Sequence, residues 1–172
     1  GADALRMGLL VGTAIGNDAR FDESKVKGYK HFANKIWNAS RFTLQNLEGF
    51  DYKTKPKLTK RHEEVLAELD QVVQKTTKEL ETYRVDHAAD TAYHYFWHTF
   101  ADVIIEENKE ILSGNDEAAK ASAQWTLYTV LSTSLKLLHP CMPFVTEAVW
   151  SHLPEGVHKQ EEFLMIERWP TS

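Results

Sequence analysis

The run from Glu23 to Leu47 separates into distinct faces only on a helix of 3.6 residues per turn. Val26, Tyr29, Ala33, Ile36, Trp37, Ser40, Leu44 and Leu47 recur at steps of three and four and predict the buried face. Lys27, His31, Asn34, Asn38, Arg41 and Gln45 recur at the same steps and make a second stripe without an acid. Lys35 and Phe42 lie along one margin of that stripe and Lys30 along the other. A helix of this length draws its stability from packing its apolar face on other elements, so the run predicts a helical bundle.

A polar stripe of this kind is ordinarily a solvated face. Two features speak against that here. Asparagine is a weak helix former, because its side chain competes for the backbone, yet Asn34 and Asn38 sit one turn apart in mid-helix. The usual mixture of Glu and Lys at helical spacing is also missing. Amides, a guanidinium, ammonium groups and one aromatic ring suit the holding of unstacked nucleotides: amides and Arg meet base edges, the ring stacks, and the cations meet phosphate. Trp37 falls towards the apolar face and reads as core.

The balance of charge agrees with a local patch. The 172 residues carry a net charge of −5, which excludes a general nucleic-acid glue. Between Arg20 and Arg41, however, six Lys or Arg face two acids, so this stretch is positive by four and the remainder negative by nine. Such asymmetry steers an anionic partner to one region. Hydrophobic residues at 42% and charged residues at 26% are globular proportions, and the length suits a single domain with a core of its own, taken as residues 1–172. The lone cysteine, Cys141, rules out an internal disulfide framework and points to a reducing compartment, the cytoplasm. No apolar run is long enough for a membrane span, and there is no signal peptide.

Along the chain, Gly1 to Ala14 predicts a short helix with Asp3 near its start and Met7, Leu10, Val11 and Ala14 inward; Gly12, Gly16 and Asn17-Asp18 mark its end. The opening without an initiator Met reads as a fragment of a longer chain. Asp22 caps the organising helix, and Gly28 within it costs on the order of 1 kcal/mol against Ala. A loop from Glu48 to Pro56 leads to a charged outer helix from Thr59 to Tyr83, with Val65, Leu66, Leu69, Val72, Val73, Thr76 and Leu80 on one face. Asp86 is expected to cap a third long helix reaching Leu112, with Ala89, Ala92, Tyr93, Phe96, Phe100, Val103, Ile104 and Ile111 inward. Asp116 caps a fourth, from Glu117 to Leu138, that buries Trp125, Tyr128, Leu131, Leu135 and Leu138. Pro143 opens a last short helix carrying Val145, Val149, Trp150 and Leu153, and Phe163 to Trp169 reads as extended. The fold class is all-α, a helix bundle with a short extended C-terminal tail.

Asp90, His94 and His98 share one helical row, continued by Asp102 and Glu106, and two His one turn apart suit zinc. The residues between them are Tyr95, Phe96 and Trp97 rather than a Glu base, and no Glu-x-x-His pair occurs, so packing or surface hydrogen bonding is the simpler role. No nucleophile lies in a recognisable setting. Gly12 and Gly16 form no phosphate loop, since no strand precedes them and no Lys-Ser or Lys-Thr follows.

Five stretches carry a resemblance: Gly1-Ala2-Asp3-Ala4-Leu5-Arg6, Gly16 through Glu23, Phe32-Ala33-Asn34-Lys35-Ile36-Trp37-Asn38-Ala39-Ser40-Arg41-Phe42, Tyr95-Phe96-Trp97-His98, and His139 through Trp150. Together, in this order and spacing, they resemble the anticodon-binding region of the valyl-tRNA synthetases, a class I synthetase family. Pieces such as Asp-Ala-Leu-Arg occur in related class I families, isoleucyl included; the run from Asn34 to Phe42 is what favours valine. The resemblance implies that the catalytic fold lies upstream and a coiled-coil arm, where present, downstream. No cofactor is then expected in this stretch, while ATP with magnesium serves the parent enzyme, which is expected to be monomeric. The partner implied is the anticodon loop of a valine tRNA, whose fixed letters are A and C. Arg41 and Lys35 are expected on the loop and its phosphates, Phe42 on a base, and Asn34 or Asn38 on a base edge, with Lys27 and Arg20 beside them. Ser24 stands where the family often has an Arg. The competing readings are an acidic protein-interaction module and a metal-dependent bundle built on Asp90, His94 and His98.

Overall fold

The computed structural model describes residues 1–12, 22–156 and 158–171. Among these residues seven α-helical segments follow one another: α1 (Ala2–Leu10), α2 (Glu23–Gln45), α3 (Lys60–Glu81), α4 (Val85–His94), α5 (Ile105–Ser113), α6 (Glu117–Leu138) and α7 (Pro143–Trp150). A π-helical stretch, Tyr95–Ile104, joins α4 to α5, so the three run as one long helix. Among the described residues the only β-pairing is an isolated bridge between Gly156 and Lys159.

The caps at Asp22 and Asp116 are in place. Asp22 accepts hydrogen bonds from the Ser24 and Lys25 amides at 2.8 and 3.4 Å, and Asp116 from those of Ala118 and Ala119 at 3.0 Å. Asp86 is not a cap. α4 opens two residues earlier than such a cap implies, at Val85 after Arg84, and Asp86 sits within its first turn. α3 stops at Glu81, short of the expected Tyr83, because Tyr83 takes the left-handed conformation with φ of 60°. The Arg84 amide reaches the Glu79 carbonyl and the Tyr83 amide that of Leu80, which closes the helix end as a Schellman motif. α1 ends at Leu10; Ala14, Gly16, Asn17 and Asp18 lie outside the described residues.

The centre of the bundle is α6 rather than α2. Every residue from Ser122 to Leu135 is buried, and α2, α3, α4, the π-helical stretch, α5 and α7 all pack on α6. Three of its buried Ser and Thr side chains bond back to their own helix: Thr126 to the Ser122 carbonyl, Thr129 to Trp125 and Ser132 to Tyr128, each at 2.8 Å. The expected core residues of α6 are all buried. Around them close Phe32, Phe96, Phe100, Ile104 and Trp150, each fully buried.

The π-helical stretch changes which residues of the third helix face inward. The extra residue per π turn moves the buried row from Phe96 and Phe100 to Ala101, Ile104, Ile105, Asn108 and Leu112. Val103, expected inside, is 41% exposed for that reason. The C-terminal tail is extended at Phe163 and Glu167, but a 3-10 turn at Leu164–Ile166 interrupts it. The Glu147 carboxylate accepts from the Leu164 and Met165 amides at 2.9 and 3.2 Å, which holds that turn. Farther on, the Trp169 indole N–H donates to Thr77 of α3 at 2.8 Å.

Two contacts tie the ends of the chain together. Asp3, buried in α1, accepts from the Phe144 and Val145 amides at 3.2 and 2.7 Å, capping α7 from a distant element. Arg6 donates to the Pro140 and Cys141 carbonyls at 2.9 and 3.2 Å. The Asp-Ala-Leu-Arg stretch thus has a structural task here.

Candidate nucleic-acid interface

α2 shows the stripe expected of it. Lys27, His31, Asn34, Asn38, Arg41 and Gln45 are all exposed, as is Lys30. The buried arc is rotated from the expected one: it runs through Tyr29, Phe32, Ile36, Ala39, Ser40 and Thr43. Phe32 and Ile36 are fully inside, while Trp37 is 44% exposed and so is not a core residue. The rings of the adjacent helix cause the rotation. Phe32 packs edge-on to Tyr93 and Phe96 and stacks on Trp97 at 5.7 Å, which draws α2 round to that side. Trp37 is left with an edge contact to His152 at 6.0 Å, beside a small apolar hollow of about 280 Å³ that Arg41, Leu44 and Val149 help to line.

α2 runs parallel to the long helix made by α4, the π-helical stretch and α5. Tyr29 meets Tyr93, Phe32 meets Trp97, Lys35 meets Asp102 and Phe42 meets Lys109 in ascending order. The two deeper rungs are aromatic. Burial and neighbouring Tyr93 and Asp90 push the Tyr29 hydroxyl up to about 12, so it stays a neutral phenol. The two outer rungs, Lys35–Asp102 and Phe42–Lys109, are open to solvent on one side and form the margin of the stripe.

Each expected contact residue now has a place. Lys35 Nζ lies 2.6 Å from Asp102 Oδ1 and 6.0 Å from the centre of the Trp97 ring. Both charges are more than a third exposed or close to it, so the pair contributes about 0–1 kcal/mol, and the Lys35 ammonium keeps further N–H donors for a second partner. Phe42 is half-buried against the core, and Lys109 Nζ stands 5.9 Å over its ring. Lys109 also pairs with Glu106 at 2.6 Å. Lys27 makes a surface pair with Glu23 at 3.4 Å. Asn34, Asn38 and Arg41 are exposed and have no side-chain hydrogen bond or ion pair among the described residues. Ser24 is engaged with the Asp22 cap through its hydroxyl at 2.6 Å. Arg20 lies outside the described residues. The seam therefore brings Lys35, Phe42 and, beside them, Asn34, Asn38 and Arg41 to one surface, with Lys27 farther along.

Asp102 and Lys109 were missed as members of this surface. Asp102 stands in the row with Asp90, His94, His98 and Glu106 and Lys109 lies outside that row; the pairing of either with α2 needs the register of two helices far apart in sequence. The same row forms no metal centre. His94 turns to Asp90 at 3.4 Å and His98 to Asp102 at 3.5 Å, and the two imidazoles lie against each other with centres 5.4 Å apart. Among the described residues no three His, Cys, Asp or Glu converge as a metal site would need.

Donors and cations on a helix stripe that itself bears no acid, an aromatic ring at its margin and a helical frame that keeps them rigid suit the binding of single-stranded RNA. Residues 62–172 match the family model described as anticodon-binding domain of tRNA ligase. The chain belongs to that anticodon-binding family. Its relatives include the valine–tRNA ligase of Syntrophotalea carbinolica, 45% identical over 90% of this chain and 18% of the relative. Those of Clostridium perfringens and Geobacter sulfurreducens are 41% and 40% identical over 99% and 100% of the chain, and 19% and 20% of the relatives. The anticodon-binding chain thus spans about a fifth of the length of these ligases. The α2 stripe precedes the stretch matched by the family model but falls within the alignment to these relatives. No helix among the described residues is long and apolar enough to cross a membrane.

Proposed function

We propose that this chain reads the anticodon loop of a valine tRNA, as one part of a longer valine–tRNA ligase. The observation that carries the reading is the acid-free exposed stripe of α2, in a chain of the anticodon-binding family whose whole length aligns with valine–tRNA ligases. In this reading Arg41 and Lys35 hold loop phosphates, and Lys27 and Arg20 extend the cationic approach. Phe42 stacks on a base, and Asn34 or Asn38 pairs an amide with a base edge. ATP and magnesium then belong to the ligation chemistry of the longer enzyme. The ligase is taken to act as a cytoplasmic monomer. Cys141 suits a reducing compartment, being a free, buried thiol that burial pushes up to about 11.

The test is a titration of this chain with a valine anticodon stem-loop and with the same loop carrying its A and C exchanged. Saturable binding that the exchange weakens by tenfold or more supports anticodon reading; equal binding of both loops overturns it. Arg41→Ala is expected to weaken the cognate loop by about 1.5–3 kcal/mol, the usual value of a charge-assisted contact.

A further inference from the structure

Lys and Arg only donate hydrogen bonds, so the α2 stripe is rich in donors and poor in acceptors. The two fixed letters of a valine anticodon both carry exocyclic amines, on adenine N6 and cytosine N4, and an amine needs an acceptor. Asn34 and Asn38 supply one carbonyl each. Other acceptors lie near the seam, the Gln45 amide and the Glu106 carboxylate that pairs with Lys109, but Asp102 is the carboxylate that Lys35 of α2 contacts, and nothing so far assigns it a role in binding.

Three observations bear on Asp102. Its Oδ1 is held by Lys35 at 2.6 Å, which fixes the carboxylate on the margin of the stripe. Its Oδ2 is 3.5 Å from His98 Nδ1, too long for a good hydrogen bond, and so keeps accepting capacity on an exposed side. The neighbouring imidazoles of His94 and His98 are more than half exposed and lie side by side, offering flat surface for a base. A carboxylate placed among RNA-binding cations repels the backbone and weakens binding unless it meets a donor. In an unstacked loop the 2′-hydroxyls, the ring N–H groups of guanine and uracil and the exocyclic amines can all donate to a carboxylate; of these, the amines are what the adenine and cytosine bases offer.

We infer that Asp102 is a specificity-determining residue that accepts a hydrogen bond from the N4 amine of the anticodon cytosine, with Lys35 holding the carboxylate in place. The inference rests on the anticodon-reading function proposed above. Uracil would present a carbonyl oxygen to the same carboxylate and be repelled, so the arrangement selects C over U.

The experiment compares this chain with Asp102→Ala and Arg41→Ala, each checked for helicity and melting temperature. Three stem-loops are titrated: cognate, cytosine replaced by uracil, and adenine replaced by purine riboside, which lacks the amine. The native chain is expected to prefer the cognate loop over the uracil loop by about tenfold or more. Asp102→Ala should reduce that ratio towards one while leaving the purine riboside ratio unchanged. Arg41→Ala should weaken all three loops together. An Asp102→Ala variant that keeps the native C-to-U ratio, or binds all loops more tightly by the same factor, overturns the inference and leaves the carboxylate as a mask for Lys35. Loss of the adenine ratio instead overturns the assignment to cytosine. A native chain that binds all three loops equally, or none, overturns the anticodon reading itself.

Discussion

His62 and His158 show how little of a residue's role its neighbours in sequence reveal. His62 looks like one more polar residue on a charged outer helix. It is fully inside, with Nδ1 2.6 Å from Ser122 Oγ and Nε2 2.9 Å from Asn108 Oδ1. The pattern fits a neutral ring that accepts from the serine hydroxyl and donates to the amide oxygen. Burial lowers its pKa. His158 packs beside Trp125 and Tyr128, and burial first, then Lys136 and Lys55, bring it down to about 4. For a histidine with a lowered native pKa, the unfolded chain takes up its proton first as the pH falls. Stability is therefore intact above pH 6.5 and is lost progressively between 6.5 and about 4. Melting temperatures measured from pH 7.5 to 4 should fall through that window, and His158→Phe, which keeps the ring and removes the titration, should flatten the decline.

Among the helices, the ends and irregularities carry the testable energetics. Tyr83 occupies the left-handed position of a Schellman cap with its side chain 82% exposed, where glycine is the ordinary occupant. Tyr83→Gly should stabilise the chain by about 1 kcal/mol, since it relieves a conformation that costs roughly 1–2 kcal/mol in a residue with a Cβ; urea unfolding would show it as a higher midpoint at unchanged slope. Gly28 in α2 poses the converse case. A Cβ there would meet nothing within 4 Å, so Gly28→Ala should raise stability by about 1 kcal/mol through helix propensity alone. The same substitution lies on the exposed side of α2. If an RNA backbone approaches that point closely, stability rises while stem-loop affinity falls; unchanged affinity would show that the glycine is merely tolerated. The π-helical stretch matters for a different reason: by shifting the buried row one residue it leaves Asp102 facing Lys35 across the seam.

Taken as a body, the chain has a net charge of −5, a cationic strip along α2 and a second basic run at Lys53, Lys55, Lys57, Lys60 and Arg61, so the proposed hold of α2 on RNA is local. Of the strip's cations, Lys35 and Lys27 are already paired with acids, and Lys30 and Arg41 are not paired in the described residues. Two to four phosphate contacts should give a slope of roughly −1.5 to −3 in log affinity against log salt concentration, using about −0.7 per contact for a single strand. A much steeper slope would mean contacts well beyond this strip.

The all-α class, the caps at Asp22 and Asp116, the opening of α7 at Pro143 and the exposed stripe of α2 were legible in the order of residues. Each depends on spacing along one helix or on a cap a few residues away, and such local interactions are written within a single stretch. The central place of α6, the exposure of Trp37 and Val103, the burial of His62 and the presence of Asp102 beside Lys35 were not. They follow from the register of one helix against another and from side chains that satisfy each other across as many as 67 residues of chain. Periodicity states that a helix has an apolar face; the rings and polar partners on its neighbours set the angle at which that face turns inward.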